Sequence, residues 1–218
     1  MSRRFELLVF DWDGTLSDST ALIVQSLQDA CRDLDLPVPT MQAARYVIGL
    51  GLDDTLAHVL PALPRSEYHR LAERYRFHFL ASGREAPLFD GIAAALQGLR
   101  ERNLMLAVAT GKSRVGLDRA LRDTGIAACF DATRCADESA SKPDPTMLLD
   151  LMDRLDTAPE QTLMIGDTSH DLRMAANAGV PALAVSYGAH PHEDLLALSP
   201  LGCVASVSEL QRWLTANA

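Results

Sequence analysis

The segment Leu7 to Ser19, LLVFDWDGTLSDS, runs through four apolar residues and then places two carboxylates, Asp11 and Asp13, two positions apart. In an extended chain residues two apart point to the same side, so this pair can address one substrate. A strand that reaches water can also end in acids without any chemical role, and either residue alone fits that reading. Other polar groups collect behind further apolar runs: Thr110-Gly111-Lys112-Ser113, Ser141-Lys142-Pro143-Asp144-Pro145 and Gly166-Asp167-Thr168-Ser169-His170-Asp171. The chain has only two lysines, Lys112 and Lys142, and both lie in these segments. If Asp11, Asp13, Asp167 and Asp171 converge, their charges repel unless a divalent cation that prefers oxygen, most simply Mg²⁺, joins two or three of them.

Such a set suits phosphoryl transfer. Hydrolysis of a phosphate monoester needs accelerations of up to about 10²¹-fold, obtained largely by neutralising the anionic ester and aligning the nucleophile in line. Asp11 can attack phosphorus to form an aspartyl-phosphate, which splits one hard step into two. Asp13 can protonate the leaving oxygen and later take a proton from the hydrolytic water. Gly14 permits a tight turn that brings backbone amides toward the phosphate.

These loops need a frame to hold them. Strand-like apolar runs at Leu7 to Phe10, Leu104 to Ala109, Leu163 to Ile165 and Ala182 to Val185 are each followed closely by polar residues or glycine. Helical patterns lie between them: Ile92 to Arg102 with Leu96 and Leu99 inward, Ser113 to Thr124 with Val115 and Leu121 inward, Pro145 to Leu155, and Ser169 to Ala178 ending at Gly179. The alternation predicts an α/β fold, a Rossmann-like doubly wound parallel sheet whose right-handed crossovers bring the carboxyl ends of the strands to one edge. Ligands of such sheets bind at that edge.

Residues 17–83 break the alternation. Leu22, Ile23, Leu27, Ala30 and Leu34 recur at helical spacing within Ala21 to Leu34, a short helix is expected over Leu52 to Leu60, and Leu71, Tyr75 and Phe79 stand four apart within Glu67 to Ala81. Helices without strands predict an inserted helical cap over 17–83, between core segments 1–16 and 84–218. The chain is expected to leave it near Arg84-Glu85-Ala86-Pro87, with Pro87 and Asp90-Gly91 as hinge and helix start. Tyr75, Phe77 and Phe79 are expected on the inner face of this bundle.

Composition narrows the function classes. With 218 residues, 48% hydrophobic and 22% charged, the chain can bury one large core with a modest insertion. A formal charge of −9 argues against nucleic acid as a partner. No apolar run approaches the ~18 residues that span a bilayer, and the stretch before Asp11 is too short for a secretory h-region. A cytoplasmic protein with no membrane partner is expected. Cys31, Cys129, Cys135 and Cys203 are scattered, without a CxxC pair, and read as small buried apolar residues.

Together the four segments resemble the haloacid dehalogenase-like (HAD) superfamily, specifically its phosphoglycolate-phosphatase-like members with a helical cap. Asp11-Trp12-Asp13-Gly14-Thr15-Leu16 resembles the first motif, Thr110 the second, Lys142 with Pro143 the third, and Gly166-Asp167-Thr168 through Asp171 the fourth. The resemblance implies Asp11 as nucleophile and metal ligand, and Asp13 as general acid/base with its backbone carbonyl on the metal. It implies Thr110 as a donor to phosphate oxygen with Gly111 beside it, Lys142 as charge balance, Asp167 as an Mg²⁺ ligand and Asp171 as support for the metal. It further implies a small phosphorylated metabolite, phosphoglycolate by default, as substrate. Asp13 disfavours a dehalogenase, and the lack of lysine in 17–83 disfavours a Schiff-base hydrolase; a sugar phosphomutase, a pyrophosphatase or a non-catalytic phosphate-binding protein remain alternatives. The second motif departs from the Ser/Thr-Asn of many relatives, because Gly111 removes an amide side chain.

Several residues carry two readings. Asp167 can cap the helix at Ser169 instead of binding metal. Lys112 can be a solvated residue at a helix start or a phosphate contact, and His170 is expected in an exposed loop, since a hard oxygen site has little use for imidazole. Gly49-Leu50-Gly51-Leu52 matches the position of the substrate-specificity loop or forms a plain turn. Arg45 and His58 are candidate substrate contacts. The sequence does not specify the oligomeric state.

Overall fold

The computed structural model describes residues 5–81 and 86–218. Gly83, Arg84 and Glu85, part of the expected exit from the helical segment, lie outside the described residues. Six strands, β1 (Leu7–Phe10), β2 (Met105–Thr110), β3 (Ala132–Cys135), β4 (Thr162–Gly166), β5 (Ala182–Val185) and β6 (Cys203–Val204), form one sheet. Every pairing is parallel and the order is β3-β2-β1-β4-β5-β6, a doubly wound arrangement with β1 inside it. β1 and β5 coincide with their expected runs; β3 and β6 were not anticipated, because ATRC carries a polar middle and CV is two residues long.

Alternation along the strands supplies two cores. Leu8, Phe10, Leu106, Val108, Leu163 and Ile165 face α5 (Ile92–Glu101), α6 (Arg114–Thr124) and α10 (Val207–Asn217) through Leu96, Leu117 and Leu210. Leu7, Val9, Ala107 and Met164 face the other way, against Leu148 and Leu151 of α7 (Thr146–Leu155) and Met174 of α8 (Ser169–Asn177). The short α9 (His192–Leu196) packs Leu195 beside Leu172 and Ala184.

Between β1 and α5 lie α1 (Thr20–Asp33), α2 (Met41–Tyr46), α3 (Leu52–Val59) and α4 (Tyr68–Leu80). They share a third apolar cluster built on Leu27, Ala44, Leu56 and Leu71, to which the sheet side contributes Ala189. The strands leading in and out run side by side: Phe89 N–H donates to Leu16 O at 3.0 Å, Asp18 N–H donates to Pro87 O at 2.9 Å, and Ser17 bridges to both Asp13 and Leu88. Gly91, in the left-handed region at φ 87°, caps α5 as Asp90-Gly91 suggested.

Two helix faces differ from expectation. Val115 is 75% exposed while Leu117 is fully buried, because α6 inserts the stripe Leu117, Ala120, Leu121 and a residue two earlier lies roughly 200° around the helix. By the same geometry Phe77 is exposed between Tyr75 and the buried Phe79, so the three aromatics do not share an inner face. Cys31 and Cys135 are buried as expected, whereas Cys129 and Cys203 are only half-buried; all four are free thiols. Leu117→Ala is expected to lower the unfolding free energy by about 2–5 kcal/mol, and Val115→Ser to change it by no more than about 0.5 kcal/mol, both read from urea unfolding; equal losses would reverse the assigned helix register.

Candidate active site

Asp11 extends the ladder of β1, its N–H donating to Ile165 O at 2.9 Å. Trp12 turns its ring into the sheet core, so Asp11 and Asp13 fall on the opposite side, as the two-residue period requires. The chain then turns at Gly14, where φ is 81° and an added Cβ would lie 2.2 Å from Asp167 Oδ2. Only glycine allows the first and fourth segments to approach this closely.

Lys142 links the cluster. Its Nζ lies 2.8 Å from Asp11 Oδ1 and 2.6 Å from Asp171 Oδ1, with all three side chains fully buried. Asp171 is the third residue of α8 and completes a capping box: its Oδ2 accepts from Thr168 N–H at 3.0 Å and from Thr168 Oγ1 at 2.7 Å. Thr168, not Asp167, is therefore the cap. Asp167 instead accepts from Thr15 Oγ1 at 2.8 Å and from Ala189 N–H at 2.7 Å. That leaves Asp11 Oδ2 buried with no hydrogen-bond partner.

Burial dominates the electrostatics. It raises the Asp11 carboxyl well above the usual carboxylate range; the Lys142 ammonium opposes this and Asp171 and Asp167 add to it. Burial followed by the charge of Asp171 pushes Asp167 up to about 7. Lys142 would be lowered by burial alone, but Asp11 and Asp171 outweigh that and hold its ammonium above the ordinary lysine value. One ammonium thus faces three carboxylates, whose oxygens lie within 4.8 Å of one another. An all-oxygen donor set with an unpartnered buried oxygen fits a hard divalent cation, which would supply the missing positive charge.

Asp13 sits at the edge of this cluster and is nearly buried. Its Oδ1 accepts from Ser19 Oγ at 2.6 Å and pairs with Lys112 Nζ at 3.1 Å, and Lys112 lies 4.9 Å from the centre of the Phe79 ring. Lys112 is consequently not a solvated helix-start residue, since Asp13 and the aromatic ring hold its chain. Thr110, fully buried, ends β2 two residues beyond Val108, the partner of Phe10, which sets it beside the Asp11 segment. Gly111 abuts the helical segment, where a Cβ would come within 2.5 Å of Leu50 O and 2.6 Å of Gly49 O.

The Gly49-Leu50-Gly51-Leu52 loop thus touches the site. An added Cβ at Gly49 would be 3.4 Å from Thr168 Oγ1 and 3.9 Å from Asp11 Oδ2, and Gly51 N–H donates to Ser141 Oγ at 2.9 Å. A cavity of about 1000 Å³ opens between this loop, α1 and α4 on one side and Asp13, Gly111 and Lys112 on the other. Arg45 and His58 are not among its lining residues. Arg45 donates to Gly188 O at 2.7 Å and Ala189 O at 3.1 Å, and the His58 ring packs 5.1 Å from that of Tyr46.

His170 contradicts the exposed-loop expectation: it is buried in the first turn of α8, and its Nε2 lies 2.7 Å from Tyr46 O. His190 approaches the same carbonyl at 3.0 Å and accepts from Ser169 N–H. Burial holds both imidazoles below the usual histidine value, in keeping with their use as neutral struts between α2 and α8. Two further contacts carry no motif of their own, the Ser19 hydroxyl on Asp13 and the Gly188-Ala189 amide on Asp167. The latter was findable, since it follows the run Ala182 to Val185 on the same carboxyl edge.

A family model described as Haloacid dehalogenase-like hydrolase matches residues 8–185. Among curated proteins, the chain is 35% identical to "Probable phosphatase IndB" of Dickeya dadantii, covering 94% of this chain and 91% of that one. It is 32% identical to "Tyrosine-protein kinase PtkA" of Mycobacterium tuberculosis over 96% of this chain and 72% of that protein. It is 30% identical to "Phosphoglycolate phosphatase" of Agrobacterium fabrum over 84% of this chain and 81% of that protein.

Two stability measurements check the cluster. Lys142→Met strands buried carboxylates and is expected to lower the unfolding free energy by about 3–5 kcal/mol in metal-free buffer. A carboxyl raised from 3.8 to about 7 on folding contributes stability that is complete below the unfolded value and is lost as pH rises through about 7. In EDTA, Asp167→Asn should therefore gain stability relative to the parent between pH 5 and pH 8; a difference that does not change with pH would show that Asp167 ionises normally in the fold.

Proposed function

The chain belongs to the haloacid dehalogenase-like hydrolases, and from that premise we propose that it is an Mg²⁺-dependent phosphatase that hydrolyses a phosphate monoester through an aspartyl-phosphate on Asp11. The observation that carries this is the unpartnered, buried Asp11 Oδ2 beside Lys142 and within 4.8 Å of Asp167 and Asp171. Similarity to proteins named as phosphatases over nine-tenths of IndB and four-fifths of the Agrobacterium relative supports it.

Asp11 and Asp167, with the backbone carbonyl of Asp13 and support from Asp171, would hold Mg²⁺, whose charge neutralises the phosphoryl oxygens. Asp11 Oδ2 attacks phosphorus in line, the P–O bond to the alcohol breaks, and Asp13 gives its proton to the departing oxygen. Thr110 donates to a phosphoryl oxygen, and Lys142 opposes the burial that raises the Asp11 carboxyl, an effect that the charge of bound Mg²⁺ would reinforce. A water molecule then attacks phosphorus, Asp13 takes its proton, and inorganic phosphate leaves Asp11 free. Ser19 and Lys112 both engage Asp13 Oδ1, which directs Oδ2 to the proton transfer. Helices α1 to α4 act as the cap that excludes bulk water, with the adjacent linkers at 14–19 and 86–89 as the hinge. Phosphoglycolate is the reference substrate by resemblance. The loop carrying Gly49 lies over Asp11 and favours water over a protein side chain as final acceptor.

Hydrolysis of p-nitrophenyl phosphate tests this. The parent should release inorganic phosphate only with Mg²⁺. Asp11→Asn should abolish turnover, and Asp13→Asn should reduce kcat by about 10²–10⁴-fold. Turnover that survives in Asp11→Asn, or that ignores EDTA, would remove the proposed nucleophile or the metal.

A further inference from the structure

The cavity under the helical segment contains Asp13 in its wall but not Asp11, which Gly49 covers. Asp13 is the group assigned to the leaving oxygen, so whatever fills the cavity is attached on the leaving-group side of phosphorus. The cleft, about 1000 Å³ and partly open to solvent, is large enough to admit a drug-sized ligand. A two-carbon acid such as glycolate would leave most of it to water. Its wall on the helical side combines apolar and aromatic side chains, Ile23 and Leu27 from α1 and Tyr68, Tyr75 and Phe79 from α4, with polar ones that include Asp53, Asp54, Arg65, His69 and Arg76. The Tyr75 and Phe79 rings stand 5.8 Å apart and tilted by 32°, Lys112 Nζ lies 4.9 Å from the Phe79 centre, and both rings border the cavity, where an edge contact with a further ring is of the favoured kind. Of the cations on its wall, Lys112 is engaged by Asp13, Arg65 and Arg76 are exposed, and Arg119 is half-buried.

We propose that the substrate is a phosphate monoester of a bulky alcohol carrying an aromatic ring, which packs on Tyr75 and Phe79 with its ester oxygen at Asp13. This inference rests on the phosphatase reading and replaces its reference substrate. Gly111 belongs to the same design. An asparagine there would drive its Cβ into the Gly49 and Leu50 carbonyls, so polar recognition from the second segment is given up for a close seat of the loop that bounds the cavity.

The test compares alkyl esters of similar intrinsic reactivity, 2-phenylethyl phosphate, ethyl phosphate and phosphoglycolate, with Mg²⁺ and inorganic phosphate release as readout. The expected kcat/KM for the phenylethyl ester exceeds each of the others by about tenfold or more. Phe79→Ala should collapse the phenylethyl-to-ethyl ratio, and Phe79→Leu, which keeps most of the volume, should reduce it partly. Phosphoglycolate or ethyl phosphate turned over as well as the phenylethyl ester, or a ratio unmoved by a folded Phe79 variant, overturns the inference and leaves the phosphatase reading intact. Failure to hydrolyse any of the three esters by an enzyme that still hydrolyses p-nitrophenyl phosphate overturns the inference alone; failure on all four overturns both.

Discussion

The site depends on one buried ammonium held between two buried carboxylates. Lys142 reaches Asp11 and Asp171 at 2.8 and 2.6 Å with no exposure of any of the three side chains. Desolvating such charges costs several kcal/mol per ion, which Coulomb attraction recovers only with good geometry and further hydrogen bonds. Asp171 has those bonds, from the Thr168 cap. Asp167 has them from Thr15 and the Ala189 amide. Asp11 does not, and its second oxygen is left buried without a partner, which is the feature the proposed nucleophile rests on. The arrangement is poorly designed for stability alone and well suited to receiving positive charge and a phosphoryl group.

The rest of the molecule keeps that cluster buried. Parallel pairing of β1 with β2 and β4 brings three of the four chemical segments to one edge. Gly14 and Gly188 let backbone press against Asp167 where any side chain would collide. The helical segment is joined to this edge by more than its linkers: Arg45 grips the Gly188 and Ala189 carbonyls, while His170 and His190 meet the Tyr46 carbonyl. Ala189 therefore serves both sides, donating to Asp167 through its N–H and accepting from Arg45 through its carbonyl. A shift of the helices would be felt directly at the carboxylate cluster.

Much of this was legible in the sequence because the chemistry is local to strand ends. An apolar run, a polar stop and a glycine identified Asp11, Asp13, Thr110 and Asp167, and the scarcity of lysine singled out Lys142. What escaped was long-range or non-periodic. β3 hides behind Thr133 and Arg134, whose side chains are only half-buried at the sheet margin. His170 looked like a loop residue because nothing near it in sequence announces Tyr46, which lies 124 positions away. Val115 and Phe77 were misplaced for a different reason: apolar type was taken for inward direction, and the helical period turns them outward. Lys112 carried the right interest and the wrong surroundings, since Asp13 and Phe79 hold it only once the helices fold over the sheet edge.

The most direct measurement follows phosphorus. A single turnover of p-nitrophenyl phosphate with Mg²⁺, quenched in acid, reduced with borohydride and mapped by mass spectrometry, should show homoserine at position 11 and nowhere else, because only an acyl phosphate is reduced in this way. Reduction at a different carboxylate, or phosphate release at full rate with Asp11 never modified across the turnover, would contradict a mechanism built on its unpartnered oxygen.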